Sequence, residues 1–120
     1  MSEQPTASDD LSAEDAKLVT LARATRARAR ATEGAAVRDL DGRTYAAASV
    51  RLEHLSLSAL EVCVAMAVSS GSAGLEAAVV LTDGEAPDLA AASDFAGAGV
   101  PVLVGDPRGT IHARLATTAA

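Results

Sequence analysis

Apolar positions change rhythm three times between Gly34 and Asp83, and each change predicts an element. In LSALEVCVAMAVSSG, Leu57 to Gly71, the residues Leu57, Leu60, Val64, Ala67 and Val68 recur at helical spacing, while Val62, Ala65 and Met66 fill the opposite side. A helix apolar nearly all round is a buried one, packed on a sheet and against something else as well. Upstream, GAAVRDLDGRTYAAASV reads as two strands, about Ala35–Leu40 and Arg43–Val50, joined by Asp41-Gly42, the strongest short-range hairpin signal. Downstream, Gly71 to Gly74 breaks the helix, and the apolar run from Leu75 to Thr82 reads as a strand covered on both faces.

The flanks extend this unit. Ser12 is placed to cap a helix over 13–31, with Asp15 at the capping-box position and Glu14 beside it, both acids favoured there by the helix dipole. The second half of that helix carries Arg23, Arg26, Arg28 and Arg30. No aromatic or second basic cluster accompanies them, so they read as a solvated face rather than a phosphate or RNA contact. Residues 51–56 are expected to form a loop ending in Ser56, the N-cap of the central helix. Beyond the buried strand, Pro87 begins a helix over about 88–96, stopped by Gly97 and Gly99. Residues 100–104 read as a short strand, 105–109 as a turn and 110–115 as an edge strand. The order α-β-β-α-β-α-β-(β) predicts an α/β fold, a three-layer α/β/α sandwich around one mixed sheet of about four to five strands. The expected domain spans 11–116, with a disordered acidic tail at 1–10 and a frayed end at 117–120.

Composition adds a limit on stability. A chain of 120 residues has room for one core, and with 49% hydrophobic but only 2% aromatic residues that core is built from Ala, Val and Leu. Each of these buries little area, so the lone chain is expected to be modestly stable, and association of subunits is a natural remedy. A net charge of -6 argues against a general nucleic-acid binder, which needs a basic face. A single cysteine excludes an internal disulfide and a multi-cysteine metal site. The opening MSEQPTASDD has neither the positive start nor the apolar run of a signal peptide, and no stretch has the length of a membrane span. A cytoplasmic protein with no membrane contact is the expectation.

Taken in order, the phrases GAAV, DGRTY, LSAL and AMAVSSG resemble the cytidine deaminase superfamily, the small homotetrameric type acting on free nucleosides. Its members read a VGAAL-like strand, a DG turn, a second strand, and a helix that begins Cys-Ala-Glu-Arg and runs on into Ala-Val-Ser-x-Gly. A later Pro-Cys-x-x-Cys, heading the next helix, falls on Pro87. The likeness covers most of Leu11 to Gly109. It implies a zinc ion on three Cys or His ligands, with the fourth position left for water, and a glutamate off the metal that moves the protons. Matched without gaps, the ligand positions are Ser58, Asp88 and Ala91, and the glutamate position is Leu60. The ribose-holding Asn and Glu of the second strand fall near Ala47 and Ser49. The chain thus resembles a degenerate member, with no catalytic residue, no metal ligand, and none of the zinc that the family implies as cofactor.

Other residues do not rebuild the site. Glu61 lies one helical residue, a rotation of about 100°, past the glutamate slot. Cys63 reads as a small core residue. Of the two histidines, His54 stands four residues before Ser58 and, with Ser49, is a possible pocket-lining residue; otherwise it is an exposed loop histidine. Asp88 suits a helix N-cap better than a ligand set with Asp94, and nothing in the spacing of Ser56, His54 and Asp88 favours a nucleophilic triad. The glycine-rich turns at 70–74 and 105–109 lack the lysine and spacing of a P-loop.

The preferred reading is a non-catalytic interaction module. It would be a homo-oligomer, dimer or tetramer, or dock another protein, and Leu57, Leu60, Val64, Met66 and Val68 would form the interface on the helix that contributes to subunit packing in the family. The alternative is a nucleoside- or nucleotide-binding protein that keeps the vestigial pocket. A deaminase with a rebuilt site comes third.

Overall fold

Ser12 starts the described chain as predicted. In the computed structural model, which describes residues 11–119, its hydroxyl accepts from the Asp15 N–H at 3.0 Å and caps α1, Ala13–Ala29. The acidic tail expected at 1–10 lies outside the described residues. α1 stops two residues before its expected end because Arg30 takes the left-handed conformation (φ 55°), and the N–H groups of Arg30 and Ala31 bond back to Ala27 and Arg26. Glycine usually fills that position; an arginine there gives no stop signal.

The Asp-Gly hairpin forms from β1, Glu33–Asp39, and β2, Thr44–Ala48, with Gly42 at φ 85° in the turn. Asp39 organises it. Its Oδ1 accepts from the N–H groups of Asp41 and Arg43, each at 2.9 Å, and its Oδ2 from the Ser72 hydroxyl at 2.6 Å. The Ser72 hydroxyl above all, helped by those two amides, holds the Asp39 carboxyl below its usual range.

Residues 51–56 are not a loop. Val50–Leu52 (β3) and Leu55–Leu57 (β4) pair around Glu53-His54 as a separate two-stranded arm. Nor does Ser56 cap the central helix. α2 spans Ala59–Ser69, and Ser58 caps it through a reciprocal box: Glu61 N–H donates to the Ser58 hydroxyl at 3.1 Å, and Ser58 N–H donates to Glu61 Oε1 at 2.8 Å. Only Ser58 has a glutamate three residues on, which decides between the two serines.

β5 occupies Leu75–Thr82, α3 Ala90–Ala96, β6 Pro101–Gly105 and β7 Ile111–Ala116. α3 begins later than Pro87 suggested, at Ala90, and its N-cap is Leu89 rather than Asp88; the Asp88 Oδ1 instead accepts from the Ala90 N–H at 2.9 Å in the turn before the helix. The frayed end expected at 117–120 is ordered at its start: Thr117 is buried, and its hydroxyl accepts from Val100 N–H and donates to the Gly97 carbonyl.

The five-stranded sheet runs β2-β1-β5-β6-β7, with β5 and β6 parallel and the other pairs antiparallel. α1 covers one face, placing Leu18 and Ala22 on Ala36, Ala77, Val79, Leu81 and Leu103. α2 and α3 cover the other, placing Leu60, Cys63, Val64, Ala67 and Ala92 on Ala35, Val37, Ala78, Val80 and Val102. Central β5 is therefore apolar on both sides, which explains its run from Ala77 to Leu81, while Glu76 near its start is exposed. This is the three-layer α/β/α sandwich. α1 sits so close to β1 that a Cβ at Gly34 would collide with the Ala22 carbonyl oxygen and the Arg26 Cβ.

Burial corrects part of the expected subunit interface. Leu60 (1% exposed) and Val64 (7%) face the chain's own sheet and have no surface for a partner, whereas Leu57 and Met66 are half-buried and Val68 is 52% exposed. Among the described residues no helix is long and apolar enough to cross a membrane.

Candidate functional site

β5 and β6 are parallel, and both end at a cleft of about 550 Å³. Clefts beyond the carboxyl ends of parallel strands are where open α/β sheets place ligands. Val80 and Leu60 contribute apolar surface, Thr82 and the loop 83–88 form one side, Pro107 borders it after β6, and Ser58 brings in the start of α2. Arg26, Thr32, Glu33 and Arg51 complete the lining.

The sheet register sets the chemistry here. Glu33 pairs with Thr82 across β1 and β5, so its side chain reaches the start of α2. Glu33 Oε1 accepts from Ala59 N–H at 3.3 Å, and Oε2 from the Thr82 hydroxyl at 3.4 Å. A carboxylate there complements the helix dipole and satisfies a free amide. Gly84 N–H in turn donates to Thr82 Oγ1 at 3.0 Å, tying down the loop.

Three of the four positions singled out in the sequence meet in this cleft. Ser58, Leu60 and Asp88 line it; Ala91 does not, and packs instead against the core beside α2. Each of the three is committed locally: the Ser58 hydroxyl and the Asp88 carboxylate each accept from a helix amide, and Leu60 is core. The two possible pocket-lining residues are elsewhere. The His54 side chain, 91% exposed at the tip of the β3–β4 arm, has among the described residues only Glu53 within ion-pair distance. The Ser49 hydroxyl lies 3.3 Å from that of Thr32 and accepts from Glu33 N–H at 3.2 Å. Cys63 is buried and its thiol is pushed up to about 12 by desolvation, so it stays protonated and inert. Among the described residues no three His, Cys, Asp or Glu side chains are grouped so as to hold a metal ion.

Glu33, Arg26 and Arg51 were not legible as site residues. They come from three elements that only the folded register brings together. Of the α1 arginines, Arg26 turns into the cleft, its Nη1 donating to the Ala31 carbonyl at 3.2 Å and its Nε buried with no hydrogen-bond partner among the described residues. Arg23 instead donates to the Arg108 carbonyl at 3.2 Å.

Comparison with known proteins gives three results. No curated protein matches the chain. Seventeen chains of solved structures match. Among these is the crystal structure of cytidine deaminase from Mycobacterium leprae, with a TM-score of 0.67 and 18% identity over 88% of this chain and 95% of that one, a likeness of fold. A family model described as cytidine deaminase-like matches residues 11–109. With most of its length matched by that model, the chain belongs to the cytidine deaminase-like family.

Proposed function

We propose that this chain is a cytidine deaminase-like domain without deaminase chemistry, a zinc-free module that acts through association. One observation carries the reading: the positions that the family resemblance assigns to chemistry are occupied by structural groups. Ser58 is a helix cap, Leu60 is core, the Asp88 carboxylate accepts from the Ala90 N–H in the turn that leads into α3, and Ala91 is a methyl group. Zinc does not fit this set, which offers no thiolate, no imidazole and a single carboxylate already accepting a helix N–H. A proton shuttle is equally missing. The nearest alternative, Glu61, is held by the capping box, and Glu33, whose carboxylate reaches the start of α2 from β1, is held by Ala59 and Thr82.

Association is supported by apolar surface left over after folding. Leu52 (65% exposed) and Leu55 (48%) face each other across the β3–β4 arm, and Val68 lies bare on α2. The core itself is short of aromatic area, so subunit burial would add stability that the lone chain lacks.

Two measurements test the reading together. Zinc content of protein purified in zinc-supplemented medium is expected to be far below one ion per chain, and sedimentation at micromolar concentration is expected to give a multimer mass. Stoichiometric zinc, or a monomer, would overturn the corresponding half.

A second reading, nucleoside or nucleotide binding, is favoured by the persistence of the cleft itself. It is weaker, because Ala47 is buried and Ser49 is engaged with Glu33. A pyrimidine nucleoside that raises the melting temperature would promote it; a flat panel would remove it.

A further inference from the structure

We propose that the cleft binds a small bipolar ligand, one with a carboxylate or phosphate at one end and an amine at the other. The reason is an arrangement of charge. Arg26 and Arg51 line the cleft together with Asp83, Glu85 and Asp88, yet among the described residues neither guanidinium forms an ion pair within 4.0 Å. Opposite charges sharing one concave site would lower their energy by pairing. Here they stand on different elements, Arg26 on α1, Arg51 on β3 and the acids on the loop after β5, and that separation leaves both signs open in one cavity.

Arg26 marks the anionic end. The residue is half-buried, and among the described residues its Nε has no hydrogen-bond partner while its Nη1 donates to a neutral carbonyl, that of Ala31. Arginine's planar fork suits carboxylate or phosphate. Glu33 belongs to neither end, because Ala59 and Thr82 already hold its oxygens. A singly charged ligand satisfies one set and meets the other as repulsion; a ligand with both charges satisfies the two at once. This goes beyond the zinc-free reading and does not depend on it, since it concerns binding and would stand whether or not the chain turns anything over.

Isothermal titration of the chain tests it with O-phosphoethanolamine and 6-aminohexanoate, using inorganic phosphate and ethanolamine as controls that carry charge of one sign only. At least one bipolar probe is expected to bind about tenfold tighter than both controls. Arg51→Ala, at an exposed position where folding is not at stake, is expected to weaken that probe about tenfold. Asp83→Asn combined with Glu85→Gln should weaken the bipolar probe while leaving phosphate no weaker. No binding by either bipolar probe at about 10 mM would overturn the proposal, a concentration that would reveal contacts worth only millimolar affinity. So would phosphate binding as tightly as the bipolar probes, or Arg51→Ala leaving their affinity unchanged.

Discussion

Leu60 is the position where a structural and a chemical reading diverge most, and Leu60→Glu separates them. The family resemblance assigns this position to the proton-shuttling glutamate, yet here it is 1% exposed and packed in the core even though it also lines the cleft. Removing a fully buried leucine side chain forfeits about 2–3 kcal/mol of transfer free energy. A carboxyl forced into the same place has its folded pKa raised by desolvation. A rise of about 2–3 units, at about 1.4 kcal/mol each, adds roughly 3–4 kcal/mol once the unfolded chain is ionised.

The sum, about 5–7 kcal/mol, rivals the whole stability of a domain this size. The sign is fixed by linkage: below about pH 4 the carboxyl is protonated in both states and adds no electrostatic penalty, and the penalty then grows with pH until the folded pKa is passed. Urea denaturation at about pH 4.5 and pH 8 should therefore show Leu60→Glu losing several kcal/mol more, relative to the parent, at the higher pH. Leu60→Gln should lose a similar amount at both. A Leu60→Glu protein within about 1 kcal/mol of the parent at pH 8, with no extra slope, would mean that the carboxylate reaches cleft water. Position 60 would then be an open catalytic slot and the structural reading of it would fall.

Three further expectations can be checked by denaturation. Gly34→Ala pushes a methyl group into the α1 backbone and should cost about 1–3 kcal/mol, read from the urea midpoint at constant slope. Ser58→Ala should cost about 1 kcal/mol by removing one half of the capping box, while Ser56→Ala, exposed on the arm, changes little; equal effects would contradict the assigned cap. Asp39 titrates below its usual range because of the Ser72 hydroxyl, so its contribution is present above the unfolded pKa and is lost as pH falls through the folded one. Ser72→Ala should consequently flatten the loss of stability below about pH 4, and an acid limb identical to the parent's would show that the hydroxyl does not matter.

Much of the fold was written in local signals. The apolar run Ala77–Leu81 set β5, which spans Leu75–Thr82, and Asp41-Gly42 set the β1–β2 turn. The misses have physical causes. The β3–β4 arm turns at Glu53-His54, with no glycine, asparagine or proline to mark it. α1 ends on an arginine in a conformation that glycine usually takes, and the true cap of α2 depends on a pairing with Glu61 that Ser56 lacks. The cleft divides in the same way. Ser58, Leu60 and Asp88 were reachable because the family phrases surround them in sequence. Glu33 and Arg51 were not, because the register of β1 on β5 and an unsignalled arm carry them there. Arg26 sits in a run of arginines whose pattern alone says solvent, and only the packing of α1 over Gly34 turns it inward.

The central claim is that a helix cap at Ser58, core packing at Leu60 and a local turn bond at Asp88 have replaced deaminase chemistry at the start of α2 and α3. Its most direct test is turnover: the purified chain at high concentration, zinc added, with cytidine and deoxycytidine as substrates and released ammonia and uridine products measured. Ammonia no higher than in the protein-free control is the expected result. Sustained turnover that is abolished by a chelator and by Asp88→Ala would contradict the account, because it would place a working metal centre where the Asp88 carboxylate is held by the Ala90 N–H.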